Sequence, residues 1–299
     1  MQDTRFSGMK RFEIMPLMPV APAPPPSTVR PDGTGASLEP ISAFIICKDE
    51  RGMLGACLDS LAGMGEIVIV DSGSTDGTLD LIAEYQSLGW PIRLFRRDWP
   101  GFAAQKQFAL DQCTREWCLS IDCDERLTEE LRRAISELPL DPASAVAYSF
   151  ARLDWLPGYG YASRFVHTHH HTRLFHRSGA RYDLTALLHE GLVLNGKVAP
   201  IGTGRLLHYR NMSVGSELDK ANRYATLKAR QKFAAGERSS PARIVLRPLW
   251  RFAKSYVLQR YFLCGIPGFI YAALLGNYVF LTEAKLYRLH AGPDVPDEP

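Results

Sequence analysis

The sequence has little net charge: 35 lysines and arginines against 32 aspartates and glutamates leave a formal +3 over 299 residues. That near-balance argues against a nucleic-acid binder, which concentrates basic side chains on one face. Paired cysteines are also missing. Six cysteines are present, and Cys113, Cys118 and Cys123 are evenly spaced, but no two show the Cys-x-x-Cys spacing of a zinc knuckle or a redox motif. They read as reduced thiols, mostly buried. The first apolar run, around Ile14 to Val20, is interrupted by Pro16 and Pro19 and does not read as a secretory signal. A reducing, cytoplasmic setting is therefore expected. His189-Glu190 is not followed by a second histidine at the His-Glu-x-x-His spacing, which excludes a zinc protease. No internal repeat is visible.

What is present is a chain that is 46% hydrophobic and 22% charged, able to bury a sizeable core as one large domain with an appendage, or as two domains. Residues 1–40 hold the Ala21 to Pro26 proline-alanine tract and Pro31-Asp-Gly-Thr-Gly, with no apolar periodicity to offset ordering entropy. They are expected to be a disordered tail. Strands are expected at Ile41 to Cys47, Glu66 to Asp71, Ile92 to Phe95 and Trp117 to Asp122. Helices are expected between and after them, at Met53 to Leu61, Thr78 to Ser87, Gly101 to Cys113 and Thr128 to Leu138. The unbroken β-branched run of Glu66-Ile-Val-Ile-Val-Asp71 is typical of a strand covered on both faces. The alternation predicts an α/β fold, Rossmann-like, with a mostly parallel sheet flanked by helices. Ala145 to Arg152 and Arg173 to His176 read as later strands, and Ser216 to Ala235 as a charged helix.

In open α/β sheets ligands bind beyond the carboxyl ends of the strands. Here three of those ends are acidic: Cys47-Lys-Asp-Glu50, Asp71-Ser-Gly-Ser-Thr-Asp76 and Asp122-Cys-Asp-Glu125. A carboxylate there can accept from ribose hydroxyls or base N–H groups, and two at i and i+2 can share a site where one holds a hard cation against a diphosphate. Taken singly, such residues are as readily helix caps, as Asp76 is placed to be, or solvated turn residues. Their order along one sheet edge favours function.

The segments Ser42-Ala-Phe-Ile-Ile-Cys-Lys-Asp-Glu50, Val70-Asp-Ser-Gly-Ser-Thr-Asp-Gly-Thr78 and Ile121-Asp-Cys-Asp-Glu125 resemble the three signatures of inverting glycosyltransferase family 2. Trp99-Pro-Gly-Phe-Ala-Ala-Gln-Lys106, Arg173-Leu-Phe175 and His189-Glu190 resemble further segments of its lipopolysaccharide core β-1,4-glucosyltransferase subgroup. The resemblance spans about residues 41–290 and implies the GT-A fold for 41–235. It implies that Cys47, Glu50, Asp71, Lys106, Asp122, Arg173 and His208 bind the donor, and that Glu50 and Asp71 contact its nucleoside. Asp124 is implied to hold Mg²⁺ or Mn²⁺, and Glu190 to be the general base. The implied donor is a nucleotide sugar, UDP-glucose by preference, and the implied acceptor a lipid-linked glycan. Two other readings stay open. A nucleotidyltransferase would show a glycine-rich basic loop where Cys47-Lys-Asp-Glu-Arg-Gly stands, and an inactive scaffold would have lost Asp124 or Glu190.

Two stretches are less determinate. His167 and His169 to His171 form a cluster open to reading as a metal site or as part of a mobile loop with Trp155 and Arg164 that closes over the substrate. Residues 236–299 are expected to form a membrane-associating helical segment. Arg243, Arg247, Arg251, Lys254 and Arg260 alternate with aromatics, and Tyr261 to Leu281 carries no charge. That run is long enough to span a bilayer, but Pro267-Gly268 is expected to break it into helices lying in the interface against anionic lipid. Packing against the domain or another copy is the remaining alternative. The expected place of action is the cytoplasmic side of the inner membrane.

Overall fold

The computed structural model describes residues 37–184, 191–209 and 213–291. Its first half alternates strand and helix: β1 Leu38–Cys47, α1 Arg51–Asp59, β2 Met64–Asp71, α2 Thr78–Ser87, β3 Ile92–Arg96, α3 Phe102–Gln112 and β4 Trp117–Ser120. β5 Glu125–Leu127 and α4 Glu129–Ser136 follow. The second half has β6 Ala147–Leu156, β7 Gly160–Tyr161, β8 His170–His176, β9 Ala180–Tyr182, β10 Leu192–Leu194 and β11 Val198–His208. It ends in three helices, α5 Val214–Ala234, α6 Pro241–Ala253 and α7 Gly265–Ala291. The first strand begins within the stretch expected to be a tail. Leu38 is buried, donates its backbone N–H to Gly63 and pairs with Met64, which ties it into the sheet.

The main sheet runs β3-β2-β1-β4-β8-β6-β11-β5, with β7 paired to β6. β3, β2, β1 and β4 are parallel, as helical crossovers require. Beyond them the sheet is mixed: β8 is antiparallel to both β4 and β6, β11 is parallel to β6, and β5 is antiparallel to β11. Following these directions across the sheet, β6 and β11 point the same way as β1, β2 and β4. The carboxyl ends of all five therefore meet one edge, which β8 and β5 enter by their amino ends.

Alternating side chains fill a core on each face. Ala43, Ile45, Ile67 and Ile69 pack under α1, α2 and α4 through Leu54, Leu58, Ile82, Leu131 and Ile135. Phe44, Val68 and Val70 pack on the other face against Ala103, Ala109 and Leu110 of α3. A third, smaller core holds Leu156, Ala162, Val166, Tyr261 and Cys264, and docks the carboxyl-terminal segment onto the β6–β7 hairpin.

Pro267-Gly268 does not divide the last helix. Both residues lie in the first turn of α7, where a proline lacks only an N–H that has no helical partner. The break comes earlier, where Arg260 (φ 64°) and Gly265 (φ 59°) adopt left-handed backbone. Gly268 is needed for packing, since a Cβ there would lie 2.0 Å from the carbonyl oxygen of Tyr261.

Candidate active site

The loops after β1 and β2 brace each other. Thr75 N donates to Asp49 Oδ1 at 2.7 Å, and Asp49 N to Ser74 Oγ at 2.8 Å. Arg51 N donates to Asp76 Oδ2 at 3.0 Å and Glu50 N to Thr78 Oγ1 at 2.9 Å. Asp71 is buried and accepts from Gly73 N and Ser74 N at 2.9 and 3.0 Å, so its carboxylate also shapes its own loop. The Cys47 thiol lies 3.6 Å from Asp71 Oδ2; burial first, then Asp71, pushes its pKa up, so it stays protonated and donates.

A second cluster surrounds Asp122. Lys106 Nζ, on α3 and almost fully buried, donates to Asp122 Oδ1 at 2.7 Å. Arg173, from β8, donates to Asp122 Oδ2 at 2.8 Å and to Glu125 Oε1 at 2.5 Å. Burial opposes the ionisation of Asp122, but Lys106 and Arg173 outweigh it and hold its carboxyl below the usual range. Glu125 is fully buried, and burial prevails there over Arg173, raising its pKa.

The third cluster crosses the sheet. His208 at the end of β11 stands opposite Asp154 of β6 and Glu125 of β5. Its Nδ1 is 2.8 Å from Asp154 Oδ1 and its Nε2 is 3.2 Å from Asp124 Oδ2. Burial works against protonation of this imidazole, but the two carboxylates raise its pKa. Burial also works against the charge on Asp154, yet the His208 hydrogen bond and Arg152 bring its pKa down to about 2.

These groups border a cleft of about 1190 Å³. Glu50, Asp122, Asp124, Arg173 and His208 line it. Cys47, Asp71 and Lys106 are not among the lining residues; they lie beneath, holding the lining groups and their loops. Glu50 has its pKa pushed up to about 7, by burial first and then by Asp124, Asp76 and Asp122. Glu190, the expected base, lies outside the described residues.

The far wall was not legible in the sequence. Trp155 belongs to β6, not to a closing loop with Arg164, and its ring packs against Tyr161 and Tyr209 with centroids 5.1 and 4.9 Å apart. Ile270, Tyr271, Leu274 and Tyr278 of α7, with Lys220 and Tyr224 of α5, complete the wall. The histidine cluster is divided between the link to β8 and β8 itself. His170 is exposed, whereas burial, with Arg152 and Arg173 nearby, lowers the pKa of His171 to about 4. Among the described residues no group of three or more His, Cys, Asp or Glu side chains forms a ready-made metal cage.

Comparison with known proteins adds the following. The profile of Glycosyl transferase family 2 matches residues 42–190. The chain is 44% identical over 261 residues to the lipopolysaccharide core biosynthesis glycosyltransferase LpsC of Rhizobium meliloti, covering 86% of this chain and 97% of that protein. It is 30% identical over 259 residues to an uncharacterized glycosyltransferase of Rickettsia felis, covering 83% and 90% of the two. Among solved structures, the mannosyltransferase PcManGT from Pyrobaculum calidifontis, in complex with GDP-Man and Mn²⁺, aligns at a TM-score of 0.48 and 14% identity, over 82% of this chain and 86% of that one.

Proposed function

The chain belongs to glycosyl transferase family 2 and has the GT-A fold, and from that membership we propose that its cleft transfers a sugar, with inversion, from a UDP-sugar to a lipid-linked glycan of the lipopolysaccharide core type. Glucose is the preferred sugar. The observation that carries this reading is the convergence of Glu50, Asp122, Asp124, Arg173 and His208 on one cleft at the carboxyl edge of the sheet.

The groups fit a divided labour. Glu50 and the braced β1 and β2 loops receive the nucleoside. Asp124 offers the hard oxygen that Mg²⁺ or Mn²⁺ favours, and the His208 Nε2 3.2 Å from it adds a nitrogen that Mn²⁺ accepts more readily than Mg²⁺, leaving further ligands to a diphosphate. When bound, the cation offsets charge on the departing diphosphate. Asp122, fixed by Lys106 and Arg173, keeps its charge and its orientation beside that position. Glu190 takes the proton of the attacking acceptor hydroxyl, a role that typically contributes about 10²–10⁴-fold.

The carboxyl-terminal helices supply the membrane contact on the cytoplasmic side. α6 has no buried residue, and its Val245, Leu246, Leu249 and Trp250 are each more than half exposed, beside Arg243, Arg247 and Arg251. Such a helix suits an anionic membrane interface. The 261–291 stretch is long and apolar enough to cross a bilayer, yet α7 lines the polar cleft along one side. That favours a helix lying along the surface. A donor screen that measures nucleoside diphosphate release with lipid-extract acceptors tests the activity. UDP release that requires both UDP-glucose and lipid extract is expected; release from no nucleotide sugar would overturn the reading.

A further inference from the structure

The acidic cluster of the cleft is linked to α7 through the Tyr271 hydroxyl. Tyr271 of α7 donates to Asp154 Oδ2 at 3.1 Å, and the other oxygen of that carboxylate meets His208 Nδ1 at 2.8 Å. His208 Nε2 in turn reaches Asp124 at 3.2 Å. The tyrosine is fixed in its turn, stacked on Tyr261 with ring centroids 4.6 Å apart and planes 24° apart. Around it the segment is clamped to the site side of the sheet. Ser163 N donates to Cys264 Sγ at 3.4 Å, His167 N to the Gln259 carbonyl at 3.0 Å, and the Gln259 and His169 side chains meet at 3.1 Å. Part of the histidine-rich stretch thus serves as a clamp on the chain that leads into α7.

We propose that Tyr271 is a positioning residue for the cation-binding pair Asp124 and His208, so that its hydroxyl, through Asp154, sets how well the donor site binds its cation. The proposal rests on the reading of Asp124 as a cation ligand. The geometry gives it a reason. His208 has two nitrogens and two carboxylate partners; Asp154 fixes the ring through Nδ1 and leaves Nε2 directed at Asp124. Partners of this kind orient a metal-binding imidazole, and losing one typically costs 10–100-fold in affinity. Tyr271 stands one bond further out, so its loss is expected at or just below the low end of that range.

The test uses the full-length chain, with Mn²⁺ and UDP as probes. Calorimetry gives the Mn²⁺ concentration at which UDP binding is half-maximal, and thermal unfolding is measured in parallel. Tyr271→Phe removes only the hydroxyl and is expected to raise that concentration by roughly 5–10-fold, with UDP binding in the absence of metal unchanged. Cys264→Ala loosens the same small core without touching the relay, so it should lower the unfolding temperature and leave the Mn²⁺ dependence alone. A Tyr271→Phe variant with the wild-type Mn²⁺ dependence, or with a shift no larger than that of Cys264→Ala, would overturn the coupling. Asp124→Asn in the same titration separates the two ideas. If it too binds with unchanged Mn²⁺ dependence, the cation reading falls and takes the coupling with it; if it alone responds, only the coupling falls.

Discussion

On the β1–β4 side of the cleft, the contacts are made between two neighbouring loops. The bonds from Asp49, Glu50 and Arg51 to Ser74, Thr75, Asp76 and Thr78 span 25 to 28 residues, about one strand-helix-strand unit. On the other side, Asp154 meets His208 across 54 residues and Tyr271 across 117. The first side is a rigid socket built from backbone and short polar side chains. The second is assembled from distant strands and helices through a few long side chains. Under the proposed function, the nucleotide would enter the socket set by local sequence, and the acceptor would meet the part of the fold where strand order and helix placement can vary.

That contrast can be broken at its joint. Asp124 faces both sides, so Asp124→Asn is expected to abolish turnover and to weaken Mn²⁺-dependent UDP binding. Glu190→Gln should lower kcat by about 10²-fold or more and leave donor affinity nearly intact, because a base for the acceptor hydroxyl does not touch the nucleotide. Steady-state kinetics with calorimetry reads both variants, and a Glu190→Gln enzyme with wild-type kcat at saturating substrates would refute that residue's role.

The next effect is on stability. Arg173→Met leaves Asp122 and the fully buried Glu125 without their shared cation. Removing one partner of a buried ion pair costs about 3–5 kcal/mol. A fall of that size in urea-unfolding free energy is expected, against little change for Arg133→Met, whose partner Glu129 is solvent-exposed. Equal effects would show that the cluster around Asp122 is no more than surface charge.

The smallest effect belongs to the membrane face. Leu246 and Trp250 are 63% and 62% exposed, so replacing both with glutamate should leave the fold and soluble UDP binding unchanged. Flotation with anionic vesicles should drop, and the residual binding should become more salt-sensitive as apolar burial is lost. Unaltered flotation would move the membrane contact away from α6.

Periodicity alone carried the alternating elements from β1 to α4 to within about three residues, though it missed β5: α2 is Thr78–Ser87 as expected, α3 differs by one residue at each end, and α1 lies two residues earlier than expected. Runs such as Ile67-Val-Ile-Val70 have one environment on both faces, so local pattern and tertiary context agree. The strand ends naming Glu50, Asp71, Asp122 and Asp124 followed from the same regularity. Depth was not legible. Lys106 is expected among the donor-binding residues, but that it lies almost fully buried on α3 against Asp122 is not legible from the sequence. β5, β7, β9 and β10 span only two or three residues each, too few to show alternation. Asp154, Trp155 and Tyr271 carry no local signal, because their meaning lies in β6 and α7 coming together. The proline of Pro267-Gly268 misled for a related reason: whether it ends or begins a helix depends on the turn before it, which the left-handed Arg260 sets.

The 117-residue reach from Asp154 to Tyr271 also bears on the order in which the molecule is made. During synthesis the β1–β4 unit can fold once β4 has emerged, since β3 pairs with β2, β2 with β1 and β1 with β4, all within that stretch. The Asp154 carboxylate must wait for α7. Until then it has Arg152 and His208 as partners and lacks only the Tyr271 hydroxyl on its second oxygen. The braced socket of the β1 and β2 loops is thus an early product of folding and the finished cleft a late one, completed by α7. Under the proposed function, a nascent chain would therefore complete its acceptor side and its membrane-facing helices together, after the socket has formed.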